Sequence, residues 1–465
     1  MPKIAGQLKP QDTACATQAG EHLSNKNLFK GLVLLVALFY GGSYFLTGDL
    51  LLELPANWFT DWLSGVFKLM DQHGFLNVWS GQSPGTHYLY YLLWKPAQAL
   101  GSGSSVEIIF SVLWYFLSMG AVFLGIFYFY KIVERMIGPN QALILGLVYT
   151  ILVITFKWYT VVDSIPLTAF LGAVYFVLKG SPTTGGLMLG IGSVIKPFGM
   201  LLIPVVLKSE FLSKKAKILF IGLSTATFSL LFLPFVIGNF RVFLSSFNWQ
   251  AGRPPWETVY ALIQKLLDKP IPQDVFFQDY SGVAQRDWGW TGITPDHSVM
   301  TMIVPDYSHW YSLVFVILMA VIMGGFIYSK NIRTENQFIW GLLFALGGYF
   351  TVFYGWSANF FYWLIPFLLI LLPIWFSVSF KLLVLLEYPF LYGLYLVHIA
   401  PDLVSSVSGL PSSVTMALAP LGIGFWIIIV IKTAILAWLS MLAWKTLPTK
   451  PLTASDLKSA LRLTS

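Results

Sequence analysis

Long apolar stretches alternate with short polar connections along almost the whole chain. A membrane-crossing helix needs about 20 mostly apolar residues. On that ruler the stretches divide into spans near 31–47, 106–130, 142–159, 165–178, 218–237, 311–328, 338–354, 360–379, 382–399 and 421–444. Two polar intervals, 48–104 and 238–310, are much longer than the other connections. The pattern predicts an all-α integral membrane protein, a bundle of about a dozen membrane segments carrying two large loops.

One more apolar segment, 185–207, does not fit a simple crossing. Lys179 precedes it, and Lys208, Lys214, Lys215 and Lys217 follow it, so both of its ends carry the basic signature of an inner face. Glycines and prolines punctuate it, among them Gly190, Gly192, Pro197 and Pro204. The consistent solution is a re-entrant hairpin of two short helices that enters, breaks near Lys196-Pro197 and returns. Broken backbone at membrane depth persists only where protein or a wet cavity satisfies its polar groups.

The distribution of charge sets the orientation. Lys26 and Lys30 precede the first span, Lys131 and Arg135 close the second, Lys330 and Arg333 lie between two later ones, and Lys445 and Lys450 follow the last. With basic residues kept inside, both termini are expected in the cytoplasm and both large loops, 48–104 and 238–310, outside. The second of these loops is rich in aspartate, from Asp268 to Asp306. The expected organisation is a cytoplasmic tail (1–30), a membrane module (31–399), a C-terminal outer loop and last span (400–444) and a second tail (445–465). The first 27 residues lack an apolar core ahead of a small-residue cleavage site, so the first span is expected to be retained.

Composition agrees with this reading. Only 11% of the 465 residues are charged, against about 25% in soluble domains, and 17% are aromatic, which suits interfacial belts of Trp and Tyr. The net charge of +7 is spread over short connections rather than pooled on one polar surface, which argues against a nucleic-acid partner. The single cysteine, Cys15, permits no intrachain disulfide, so the loops must hold their shape by packing.

Polar residues in apolar surroundings are the first functional candidates, because a charge near the bilayer centre costs about 2.5–3.5 kcal/mol even on the gentlest scale. Asp163 lies where one apolar stretch ends and the next begins, and Lys196 interrupts 185–207. Lys196 could hold a phosphate, or pair with Asp163 so that each neutralises the other. Glu387 and Lys432 fall within the last spans and could satisfy each other. In the first loop Trp58, Trp62, Val66 and Leu69 recur at helical spacing, with Asp61, Ser64, Lys68 and Asp71 on another face. This predicts an amphipathic helix in the interface plane. Asp61, in its first turn, could accept a proton from a substrate hydroxyl or simply satisfy backbone N–H groups at the helix start.

A set of short motifs in fixed order adds to this. Thr60-Asp61-Trp62, then Gly85-Thr86-His87-Tyr88-Leu89-Tyr90-Tyr91-Leu92-Leu93, resembles the first outer loop of the GT-C glycosyltransferases, multi-spanning enzymes that use polyprenyl-phosphate sugars. Asp163-Ser164 and Gly190-Ile191-Gly192-Ser193-Val194-Ile195-Lys196-Pro197 resemble a hairpin and a Lys-Pro stretch of the same enzymes. Arg253-Pro254-Pro255-Trp256-Glu257-Thr258-Val259 is similar to the Arg-x-x-x-Glu-Ser-Val piece of their polyprenyl-phosphate-mannose-dependent branch. Gly355-Trp356-Ser357-Ala358-Asn359-Phe360 resembles that branch's Trp-Ser-Pro-Gln-Tyr/Phe motif, with Ala358-Asn359 in place of Pro-Gln.

The resemblance implies a GT-C-like bundle and a hexosyltransferase moving a sugar, mannose for that branch, from a polyprenyl phosphate to a lipid or glycan acceptor on the outer face of a cell membrane. It implies Asp61 as the catalytic base, inversion at the anomeric carbon, and Lys196, Arg253, Glu257 and Asp163 around the donor. His87, Tyr88, Ser357 and Asn359 become candidates for the donor or acceptor pocket. Arg253 and Glu257 read equally well as a plain i,i+4 surface pair worth about 0.3–0.5 kcal/mol. His73, His87, His297 and His309 lack metal-ligand spacing, so neither a metal nor another cofactor is expected. The rival readings are a transporter or flippase of lipid-linked sugars, which also uses broken helices and buried charge, and a non-catalytic subunit of a glycosylating complex.

Overall fold

The computed structural model describes residues 31, 70–72, 74–77, 83–103, 105–154, 160–240, 243, 258–267, 309–355, 360–386, 413–414 and 423–449. These are mainly helices and turns, with isolated bridges as the only β-type pairing among the described residues. In chain order the helices used below are α1 (Pro84–Leu100), α2 (Ser105–Met136), α3 (Pro139–Ile154), α4 (Thr160–Leu178), α5 (Pro182–Ile195) and α6 (Leu202–Lys208). They continue as α7 (Lys214–Gly238), α8 (Val259–Leu266), α9 (His309–Ser329), α10 (Glu335–Val352), α11 (Phe361–Leu371), α12 (Ile374–Leu385) and α13 (Ile423–Thr446). Four of them, Ser105–Met136, Lys214–Gly238, Trp310–Ser329 and Ile423–Thr446, are long and apolar enough to cross a membrane.

The basic connections gather at one end of the bundle. Arg135, closing α2, forms a two-pronged pair with Glu335 at the start of α10, with Nε 3.1 and 3.0 Å from the two carboxylate oxygens. Arg333 reaches Glu210 at 3.2 Å. The backbone of Ile332 donates to Lys208 O at 3.1 Å, and Lys330 Nζ donates to Leu447 O at 3.1 Å. Segments read from charge alone as lying on one face thus touch one another.

The segment 185–207 is broken where its sequence predicts. Lys196 is extended, at φ −140° and ψ 118°, between α5 and a 3-10 turn, Pro197–Leu201. The ring of Pro197 disfavours helical backbone in the residue before it, and Pro197 has no N–H to continue the ladder. The chain then doubles back. Gly186 of α5 lies against Phe220 O and Gly190 against Ser224 O, so α5 and α7 run side by side in the same direction. At the other end of the excursion Lys217, in the first turn of α7, donates to Leu207 O at 3.0 Å. The last turn of α6 has therefore returned to the level at which α5 began. Glycine is required at 186, since a Cβ there would stand 2.7 Å from Phe220 O.

Elsewhere the elements depart from the expected spans. The stretch 360–379 is not one helix, because Pro373 caps α12 after α11 has ended at Leu371. Lys381, expected in a connection, consequently falls inside α12 and is buried. The third helix is described from Pro139 to Ile154, and the remainder of its expected span, 155–159, lies outside the described residues. Of the first span only Gly31 is among the described residues. The central core joins α2, α3, α4, α6, α10 and α11 through side chains such as Phe170, Leu202, Leu342 and Trp363.

Candidate functional site

The end of the bundle opposite the basic connections brings together the described parts of several sequence motifs. At its centre Lys196 Nζ forms an ion pair with Asp163 Oδ1. Asp163 sits in the first turn of α4, not in a loop, and its side chain is 3% exposed against 22% for Lys196. The break after α5 makes this possible: an extended Lys196 projects its side chain away from the helix it terminates. The same ammonium lies 5.1 Å from the centre of the Phe360 ring and 5.8 Å from that of Phe198, within the range at which a cation is attracted to an aromatic face.

The start of α1 covers the break. Helix ends leave their last carbonyls without partners, and Ser83 Oγ donates to one of them, Ile195 O, at 2.5 Å. Ser83 also lies 3.0 Å from Thr86 Oγ1, which is buried. Gly85 rests directly on the backbone of Val194 and Ile195, where any Cβ would overlap it. The motif Gly85-Thr86-His87-Tyr88 is therefore the piece of the first large loop that docks on the Lys-Pro break.

His87 and Tyr88 face the opposite helix. His87 is 1% exposed and its ring centre lies 5.9 Å from that of Phe235 in α7. Burial holds its pKa down at about 3, so the imidazole stays neutral at physiological pH. The Tyr88 hydroxyl donates to Leu231 O at 2.9 Å. Both residues are committed to the α1–α7 contact. Tyr90, fully buried against Trp114 at 4.9 Å between ring centres, lies within electrostatic range of Asp163.

Two further motifs meet at this end. Thr258, the last polar residue of the 253–259 motif, donates from its hydroxyl to Tyr354 O at 3.4 Å, and Tyr260 donates to Val352 O at 2.9 Å. Tyr354 immediately precedes Gly355-Trp356, so the end of one motif lies on the start of another. From Tyr354 a run of rings through Phe353 and Phe360 leads to Phe198 beside Lys196, with centre-to-centre spacings of 5.3, 5.9 and 4.8 Å. Asp61, Arg253, Glu257, Ser357 and Asn359, together with Glu387, lie outside the described residues.

Some residues here were not singled out from sequence. Ser83 is an ordinary residue type whose role comes only from tertiary contact, and Tyr90 and Phe360 were legible only as members of their motifs. Lys381 did carry a signal, a lone lysine in the apolar run 374–385. It is 5% exposed, with Nζ 3.0 Å from the Tyr362 hydroxyl and 4.2 Å from that ring's centre. Lys432 is likewise buried, in α13. Asp71 is more than a solvated carboxylate on a helix face: it accepts from Lys95, from Gln98 Nε2 at 2.6 Å and from Trp94 Nε1 at 3.3 Å. Among the described residues no group of three His, Cys, Asp or Glu could hold a metal ion.

These features define a helical membrane protein with a buried ion pair at a broken helix. No family model, curated protein or solved structure matches the chain.

Proposed function

We propose that the protein is a membrane glycosyltransferase of the GT-C type, moving a hexose, mannose by resemblance, from a polyprenyl phosphate to a lipid or glycan acceptor at the outer face. The observation that carries this reading is convergence. Asp163, Lys196, the Gly85 turn, Thr258 and Phe360 come from five motifs spread from Gly85 to Phe360 and meet at one end of the bundle.

In this reading Asp61 takes the proton of the acceptor hydroxyl as its oxygen attacks the anomeric carbon. The bond to the phosphate oxygen breaks on the opposite side, inverting the configuration, and the polyprenyl phosphate leaves with the electron pair. Charge grows on that phosphate, so cationic donors aimed at it lower the barrier. Lys196 arrives already balanced by Asp163 and contributes hydrogen-bond donors more than net charge. Arg253 is the second cationic candidate for the phosphate.

The rival transporter reading draws on the broken helix, which transporters also use, while the two long loops, 48–104 and 238–310, favour an enzyme. The deciding experiment incubates purified protein with radiolabelled polyprenyl-phosphate-mannose and total cell lipids. Label passing into a more polar lipid or glycan is the expected result; no transfer, with intact donor recovered across the membrane of loaded vesicles, would favour the transporter.

A further inference from the structure

A cleft of about 380 Å³ lies between the returning arm of the broken segment and helices α9 and α10. Phe198, Leu201 and Leu207 form one wall, and Met323, Ile327 and Tyr349 the other. From Phe198 to Leu207 the wall runs about 15 Å, taking about 2.0 Å per residue in the 3-10 turn and about 1.5 Å in α6. That is half of a hydrocarbon core about 30 Å thick, the depth of one leaflet.

The two ends of the cleft differ. At the end nearer the helix break its walls meet: the Phe198 and Tyr349 rings are 5.1 Å apart between centres, and Phe198 is 7% exposed. At the basic end both walls are open, with Leu207 43% and Ile327 39% exposed. The neighbouring outward face of α9 is apolar and exposed at Leu313, Val316 and Val321, so in a membrane the cleft is reached from hydrocarbon. A chain that enters it points its tail at Phe198 and leaves its head at the basic end.

Positive charge stands at that open end. Lys217 Nζ lies 3.0 Å from the carbonyl oxygen of Leu207, a residue of the cleft wall. An ammonium has three N–H donors, and this bond uses one. Lys214 is exposed and, three residues before Lys217, shares its helix face, while Lys208 closes α6 itself. Residues 208–217 hold four lysines and one carboxylate, Glu210, which pairs with Arg333 at 3.2 Å. The first turn of α7 contains no acidic residue, so its lysines add to the positive end of the helix dipole instead of offsetting it. Keeping basic residues inside requires lysines in this connection, but not an ammonium at the mouth of an apolar cleft.

We propose that the cleft holds one acyl chain of an anionic phospholipid from the leaflet at the basic end, with the headgroup phosphate at Lys217 and Lys214. The second chain of the lipid lies along the exposed face of α9. This lipid is neither sugar donor nor acceptor. It fills the gap between the returning arm and α9, and it is bound whether the protein transfers sugar or transports it.

The test is photocrosslinking on the full-length protein in phosphatidylcholine nanodiscs, doped with phosphatidylglycerol or phosphatidylcholine bearing a diazirine on one acyl chain. Label on α6 and α9 is expected to be several-fold stronger from phosphatidylglycerol. The double variant Lys214→Gln/Lys217→Gln should lower that preference about tenfold, since each lysine near an anionic headgroup contributes several-fold. Lys179→Gln/Lys445→Gln removes the same charge from other connections at this end and should leave the preference unchanged. Met323→Trp fills the cleft from α9 and should remove most of the label, while Val316→Trp, on the exposed face of the same helix, should not. Equal labelling of the unmodified protein by the two lipids would make the cleft an ordinary contact with bulk lipid and overturn the proposal. Equal losses in the two lysine pairs would reduce the attraction to a diffuse property of the basic surface and overturn it too. Label insensitive to Met323→Trp, in protein with an unchanged unfolding curve, would place the chain elsewhere.

Discussion

Lys196 and Asp163 neutralise each other across the break between α5 and the 3-10 turn, and the two side chains are unequally buried, at 22% and 3% exposed. The asymmetry decides what each substitution does. Lys196→Met leaves a carboxylate with almost no access to water, and removing one partner of a buried pair costs about 3–5 kcal/mol. Asp163→Asn leaves a lysine that can lean toward solvent, so it should cost less. The double variant should recover much of the loss, since neither charge is then stranded. Thermal unfolding of the four proteins in one detergent checks the order. If Lys196→Met unfolds like the unmodified protein, the pair contributes nothing and Lys196 is held for a ligand alone.

Gly85 gives a second, independent handle on the same junction. A Cβ at this position would overlap the Val194–Ile195 backbone, which cannot move aside as a flexible side chain could. Gly85→Ala should therefore cost about 1–3 kcal/mol through overpacking and loosen α1 from the break. Gly222, with nothing within 4 Å of its would-be Cβ, is the control: Gly222→Ala in mid-α7 should be neutral, or stabilising by up to about 1 kcal/mol. Proteolysis of the 48–104 loop, faster in Gly85→Ala and unchanged in Gly222→Ala, is the readout.

Much of this junction was legible in the sequence, for particular reasons. The break at Lys196 follows from Pro197, whose effect on the preceding residue is local and needs no tertiary context. The gathering of Arg135, Lys208, Lys330 and Arg333 at one end follows from charge asymmetry, which acts on each connection separately. The break at Pro373 was missed because the hydropathy of 360–379 runs straight across it. Asp71's role was hidden for another reason: its partners Trp94, Lys95 and Gln98 lie more than twenty residues away, and periodicity assigns a face but not a neighbour. The same limit applies to Ser83, whose partner Ile195 is 112 residues distant.

Asp71 makes a pH-dependent prediction. Partial burial alone would raise its pKa, but hydrogen bonds from Lys95, Gln98 and Trp94 outweigh it and hold the carboxyl below its ordinary 3.8. A carboxyl depressed in the folded state adds stability that is fully present above its unfolded pKa. That stability is lost as pH falls through the lower, folded value. Asp71→Asn should thus destabilise at pH 7 by about 0.2–1 kcal/mol, the range for a solvent-accessible pair. The gap to the unmodified protein should close below pH 3.8. Unfolding curves for both proteins across that range are the check, and a gap that does not narrow in acid would mean the contact is packing rather than charge.

The base is the last prediction, and it concerns a residue outside the described part of the chain. Asp61→Asn keeps the size and much of the hydrogen bonding of the side chain but cannot accept a proton. General-base assistance is worth about 10²–10⁴-fold in rate, so the variant should fold and bind donor normally while losing nearly all transfer. Asp49→Asn, in the same loop, is the control for a carboxylate with no role in proton transfer. Asp71→Asn serves as a different comparison, because it disturbs the anchoring of α1: a modest loss of activity that follows its loss of stability is expected there. Asp163→Asn is read only beside its unfolding curve, since a fall in transfer could come from the broken pair. Normal transfer by Asp61→Asn, with Asp49→Asn inactive yet folded, would move the base to Asp49. Transfer surviving in both would remove a loop-one carboxylate from the mechanism.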